Sequence, residues 1–185
     1  RGYRRRSRSA VSGTIVTKAL LAVNVAVFFA QTLSQGALTL AGAMVSSDIA
    51  AGQYYRLFTP MFLHGSFNHL LVNCFSLNAV GPQVEALYGL DRMSVVYLAS
   101  GVAGNVLSCM MSSHMSVGAS GAIFGLVGAL GVFLARHQEM LGGGSKVALS
   151  SIGQTIFLNM ALGLRPGSNI DNWGHLGGLV GGVVT

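Results

Sequence analysis

The sequence predicts an all-α fold: a polytopic membrane bundle of six transmembrane helices. Three observations carry that prediction. Of the 185 residues, 51% are hydrophobic and only 9% are charged, whereas soluble domains carry roughly 25% charged residues. The apolar residues gather into six helix-length stretches, residues 15–33, 63–80, 93–111, 119–135, 147–162 and 173–185. With the N-terminus inside, the inner segments hold Arg1, Arg4, Arg5, Arg6, Arg8, Lys18, Arg92, Arg136 and Lys146, and the outer segments hold only Arg56 and Arg165. Such an excess of inner positive charge orients membrane proteins, and layouts with four, five or seven helices have no comparable support. At ~20 residues per span, six spans leave room for a basic tail, residues 1–14, and one membrane domain, residues 15–185.

The tail, Arg1-Gly2-Tyr3-Arg4-Arg5-Arg6-Ser7-Arg8, is followed by no acidic residue before Asp48. It reads as a positively charged segment on the inner membrane face. An Arg- and Ser-rich, acid-poor start also resembles the end of an organelle transit peptide, which favours a plastid or mitochondrial inner membrane. The net charge of +6 does not argue for nucleic acid, because the basic residues are few and segregated. The loop after the first span, residues 34–62, is too apolar for a solvated connection. It lies in the membrane interface with Tyr54 and Tyr55 at headgroup depth, or it is covered by protein. Arg56 then either meets lipid phosphate or ties the loop's own carbonyls.

Span two opens on His64-Gly65-Ser66-Phe67-Asn68-His69 and continues to Asn73. His69 and Asn73 are four apart and share a helical face. Two such donors suit a developing oxyanion, and equally suit interhelical polar glue; taken alone, the pair favours glue. Metal binding by His64 and His69 is not expected, since no acidic ligand or HExxH-type spacing accompanies them. Cys74 and Cys109, within spans two and three, read as small packing residues.

Span four begins Gly118-Ala119-Ser120-Gly121. Gly118 permits close approach, and Ser120 falls where a helix N-terminus offers unpaired N–H groups and a positive dipole. Arg136 marks the inner end sixteen residues later, or ~24 Å at 1.5 Å per residue. In a core of ~30 Å, Ser120 lies below the outer surface and needs a water-accessible cavity. Span five, with Ser150, Ser151, Gln154 and Asn159, is the least apolar. Span six reads Trp173-Gly174-His175-Leu176-Gly177-Gly178 after a polar stretch, so His175 shares the outer leaflet with Ser120. Gly121-x3-Gly125 and Gly178-x3-Gly182 are small-residue faces that let helices approach closely. A serine and a histidine brought together there suggest hydrolysis by a nucleophile and a general base. Phe124, on the serine's face, is placed to pack on the imidazole. No acidic residue is well placed as a third triad member, and Asp171, four before His175, could orient the ring but reads rather as the cap of the sixth helix. Only ten residues follow His175, ~15 Å of helix, so the sixth helix is expected to stop short of the inner surface.

With these motifs in order, the chain resembles the rhomboid intramembrane serine proteases. The resemblance rests on Gly118-Ala119-Ser120-Gly121, His69-x3-Asn73 and Gly174-His175-x2-Gly178-x3-Gly182, with Tyr55-Arg56 and Glu85 at further matching positions. It implies Ser120 as nucleophile, His175 as general base, and His69, Asn73 and the Ser120 N–H as the oxyanion hole beside Gly118. It also implies structural support from Arg56, Phe124, Gly121, Gly178 and Gly182. The substrates would be single-span membrane proteins met in the lipid, with span five as a lateral gate, and no metal or cofactor. Phe124 stands where many members have Tyr, which keeps the ring packing and loses a phenolic hydrogen bond. The alternative reading is a catalytically impaired relative that binds membrane helices. A transporter would spread polar residues along a path instead of clustering them at one face.

Overall fold

The computed structural model describes residues 14–168 and 170–185. The basic tail expected over residues 1–14 falls, except for Thr14, outside the described residues. The described chain is helical throughout, with one isolated β-bridge, Met44–Ser116. In order it forms α1 (Ile15–Leu33), α2 (Ala37–Gly42), α3 (Ser46–Ala50), two 3-10 turns (Tyr54–Leu57 and Thr59–Phe62), α4 (Phe67–Tyr88), α5 (Leu90–Met111), α6 (Ser120–Arg136), α7 (Gln138–Leu141), α8 (Gly143–Gly163) and α9 (Asn172–Val184). Of these, α1 and α5 are both long enough and apolar enough to cross a membrane on length and composition alone.

Residues 63–80 were expected as the second span, but α4 starts later and runs further. Leu63 is extended, and Ser66 starts the helix by accepting the His69 N–H at 3.1 Å. Gly81-Pro82 looks like a terminus in sequence. Yet a single proline removes only one backbone donor, and α4 continues to Tyr88, ending at Gly89 with φ +81°. The extra turns are held by burial of Val84 and by Glu85, which is only 2% exposed.

Glu85 explains how α1 docks. Thr14 gives α1 no side-chain cap; instead the Glu85 carboxylate accepts from the Val16 N–H (3.1 Å), the Thr17 N–H (3.0 Å) and the Thr17 hydroxyl (2.8 Å). A carboxylate at a helix N-terminus is favoured by both the free donors and the macrodipole. At the other end of α1 the Gln31 amide pairs with the backbone of His64 in both directions, at 3.0 and 3.1 Å. The two anchors fix α1 antiparallel to α4. Replacing Glu85 by Ala strands three donors, so we expect a loss of about 3 kcal/mol or more, read as a lower unfolding temperature in detergent; an unchanged temperature would refute the anchor.

The long first loop contains real structure. Arg56 is only 6% exposed and donates to the Leu40 and Ala43 carbonyls at 3.0 and 2.8 Å, to Gln53 at 2.7 Å, and pairs with Asp48 at 3.1 Å. Of the two roles expected for it, tying the loop's own carbonyls is the one observed. Tyr54, Tyr55 and Phe58 point outward.

The centre of the molecule is the packing of α5, α6 and α9 on one another. In lipid the hydrophobic effect does not hold helices together; close packing and hydrogen bonds do. Glycines supply that closeness. A Cβ on Gly178 would overlap the Gly121 carbonyl, and one on Gly182 would overlap the Gly125 carbonyl. These pairs run in register, so α6 and α9 are parallel. Gly104, late in α5, meets the Gly174 carbonyl, which makes α5 antiparallel to both. Met61, Leu77, Tyr97 and Leu126 fill the core beside them. By contrast, α8 buries only Ser145. Cys74 and Cys109 are free thiols, both half-buried.

Candidate active site

The site assembles where α4, α6 and α9 begin. The segment entering α6 is pinned from the first loop: Ser116 and Met44 exchange backbone hydrogen bonds at 2.9 and 3.1 Å, and the Gly118 N–H donates to the Pro60 carbonyl at 2.9 Å. Gly118 has φ +140°, a conformation that side chains resist. Space gives a second reason for glycine, because a Cβ would sit 2.8 Å from His69 Cε1 and 2.9 Å from Nε2. Ser120 then opens α6, and Ala119 offers no side-chain cap. The N–H groups of the first turn are therefore left without intrahelical partners.

His69 and Asn73 converge on this backbone. The Gly65 N–H donates to His69 Nδ1 at 3.4 Å. A nitrogen that accepts carries no proton, so the neutral ring bears its hydrogen on Nε2, the nitrogen that faces Gly118. Asn73 is buried, and its Nδ2 has no partner among the described residues; the same atom would lie 3.7 Å from a Cβ on Gly118. A buried amide left without a partner is costly as glue. Two donors therefore point at the turn that precedes the serine.

His175, on the first turn of α9, is buried and stacks on Phe124 with ring centroids 4.3 Å apart and planes 9° from parallel. Phe124 is one helical turn beyond Ser120, so the imidazole is held above the serine's own face of α6. The expected packing partner is the observed one. No hydrogen bond joins Ser120 to His175 among the described residues; such bonds are often long before substrate binds. The ring's Nδ1 is buried without a partner. Beside Ser120 is a cavity of about 10 Å³, lined among others by Gly104, Asn105, Gly118, Asp171 and Gly174, room for about one water molecule.

The geometry thus brings together Ser120, His175, Phe124, His69, Asn73 and Gly118, and Gly121, Gly178 and Gly182 close the helices around them. Arg56 stands apart and shapes the loop. His64 packs edge-on against His69 at 5.3 Å, and among the described residues no three potential ligands gather at a metal site.

The family model described as the Rhomboid domain matches residues 51–185. The chain belongs to the rhomboid family. It is 39% identical over 174 residues to "Rhomboid protease GluP" of Bacillus subtilis (strain 168), covering 90% of this chain and 33% of that protein. "RHOMBOID-like protein 5" of Arabidopsis thaliana is 35% identical over 144 residues, 76% of this chain and 46% of the relative. "Putative rhomboid protease YdcA" of Bacillus subtilis (strain 168) is 35% identical over 139 residues, 74% of this chain and 67% of the relative. The chain thus spans a third to a half of the length of the first two relatives. Rhomboid proteins are integral to membranes, and the apolar helices α1 and α5 fit that.

Sequence reading missed two polar residues of α5 that adjoin the candidate site. Ser108 on α5 donates to Asp171 at 2.5 Å, and Asn105 donates to the Leu57 carbonyl at 2.9 Å. Their signal was available: Gly101, Gly104, Asn105 and Ser108 recur at helical spacing as a stripe of small and polar residues inside an apolar span.

Proposed function

We propose that this rhomboid-family chain is an intramembrane serine endopeptidase that cleaves single-span membrane proteins within or near their membrane helix, using Ser120 and His175 as a dyad. The observation that carries the reading is the His175 ring stacked on Phe124, one turn beyond Ser120. His175 takes the Ser120 hydroxyl proton as the oxygen attacks the scissile carbonyl. The resulting oxyanion is held by His69 Nε2–H, the Asn73 amide and the Ser120 N–H. His175 then returns the proton to the departing amine, leaving an acyl-serine. Water, deprotonated by His175, releases the acid and restores the serine. Neither step calls for a metal or cofactor.

The six long helices alternate in direction, and we read them as six crossings with the site near the outer end. Lightly packed α8 serves as the lateral gate. An organelle inner membrane fits the basic N-terminal residues, and relatives named as chloroplastic and mitochondrial are among the matches alongside bacterial ones.

The test is cleavage of a reporter membrane helix in proteoliposomes. Cleavage by the wild type with none by Ser120→Ala supports the proposal. An inert wild type that still binds the helix supports the non-catalytic reading instead. In the same assay Asn73→Ala is expected to slow turnover ~10-fold or more, the usual scale for one oxyanion donor. Unchanged turnover would return Asn73 to the role of glue.

A further inference from the structure

Asp171 is the one acidic side chain lining the cavity beside Ser120, and its carboxylate is fixed on both oxygens. Oδ1 accepts the Gly174 N–H at 2.8 Å as the N-cap of α9. Oδ2 accepts the Ser108 hydroxyl of α5 at 2.5 Å. Its backbone carbonyl also accepts the His175 N–H at 3.0 Å. A cap alone needs one acceptor and no charge, and Asn or Ser supplies it as well as Asp. Here an aspartate is used, anchored to a second helix, one turn before the general base and against the cavity beside Ser120.

We infer that Asp171 is a positioning residue for His175, holding the first turn of α9 and setting a fixed negative charge that stabilises the imidazolium formed during attack. The inference rests on the proposed Ser120–His175 reading and adds an acidic partner to it. The carboxylate acts through the helix turn that it caps, without a direct bond to the ring. Attraction between such charges is strong where water is excluded.

The other charged or titratable groups leave this role to Asp171. Asp91 and Arg92 on α5, Arg136 on α6 and Lys146 on α8 lie at the opposite ends of helices packed against α9. Tyr97 of α5 is buried in the central core, and Cys109 of α5 is a half-buried free thiol. His69 of α4 faces the site, with its Nδ1 accepting from the Gly65 N–H.

The experiment compares wild type, Ser120→Ala, Asp171→Asn and Ser108→Ala in the reporter assay across pH. An inert wild type would defeat the proteolytic reading itself. Given an active wild type, we expect Asp171→Asn to keep the unfolding temperature and KM, lower kcat ~10-fold, and move the rising limb of the pH–rate profile to lower pH. The sign follows because loss of a negative neighbour makes the imidazolium give up its proton more readily. Ser108→Ala, which frees one carboxylate oxygen, should lower kcat less and move the limb in the same direction. A profile and kcat for Asp171→Asn equal to wild type would reduce Asp171 to a cap and overturn the inference. Should that variant fail to fold, Asp171→Ser, also cap-competent, takes its place under the same criteria. Failure of both to fold would also overturn it, by placing the carboxylate's role in folding.

Discussion

Ser120→Ala and His175→Ala each abolish cleavage of a reporter helix, by ~10³-fold or more, the scale seen when a nucleophile or its base is removed. Their structural costs differ, and that difference is informative. The Ser120 hydroxyl makes no hydrogen bond among the described residues, so its loss should leave the unfolding temperature almost unchanged. His175 is buried against Phe124 at 4.3 Å, and stacking of this kind is worth about 1 kcal/mol beyond its buried area. His175→Ala should therefore unfold at a lower temperature than Ser120→Ala while remaining folded. Loss of cleavage in both, with only the histidine variant destabilised, separates chemistry from architecture. Full cleavage by either variant would remove the dyad.

The second large effect lies in the glycines between α6 and α9. Gly178→Ala or Gly182→Ala should cost more than about 3 kcal/mol, the range of severe overpacking, even though alanine favours helix by about 1 kcal/mol over glycine. Steric conflict wins because the atoms in the way are the Gly121 and Gly125 carbonyls, and backbone cannot rotate aside as a side chain can. The helices must separate, and His175 moves with α9. Displacement of a catalytic group by about 1 Å costs on the order of 10²-fold in rate. The control is Gly153→Ala on α8, where a Cβ meets nothing within 4 Å; it should be neutral or slightly stabilising. Thermal unfolding in detergent together with the cleavage rate distinguishes the two outcomes. Normal stability and activity for Gly178→Ala would mean that the close packing is not what holds the site.

What was legible in sequence follows from how local each signal is. The first span, residues 15–33, coincides with α1, and the bounds of the fourth and sixth expected stretches fall within one residue of α6 and α9, because uninterrupted apolar runs mark helices directly. The capping by Asp171, three residues before Gly174, and the place of Phe124 on the face of Ser120, four residues away, were also readable because each depends on local spacing. The second span, expected over residues 63–80, differs from α4 because an apolar stretch marks neither the cap at Ser66 nor the anchoring of Glu85 to α1, which carries the helix on to Tyr88. The short helices α2 and α3 escaped detection because what organises them is Arg56, thirteen and sixteen residues away from the carbonyls it binds. The contacts of Glu85 with Thr17 and of Ser108 with Asp171 cross 68 and 63 residues. Such pairs depend on the packed bundle, so periodicity alone is silent about them.

The proposal's central claim is that Ser120 is a nucleophile activated by His175. The most direct measurement is covalent labelling of the membrane-embedded protein with a fluorophosphonate, followed by peptide mass spectrometry to locate the adduct. The expected result is a single phosphonylated serine at Ser120, lost in Ser120→Ala and strongly reduced in His175→Ala. An adduct on another serine, or labelling of Ser120 that is indifferent to His175, would contradict it.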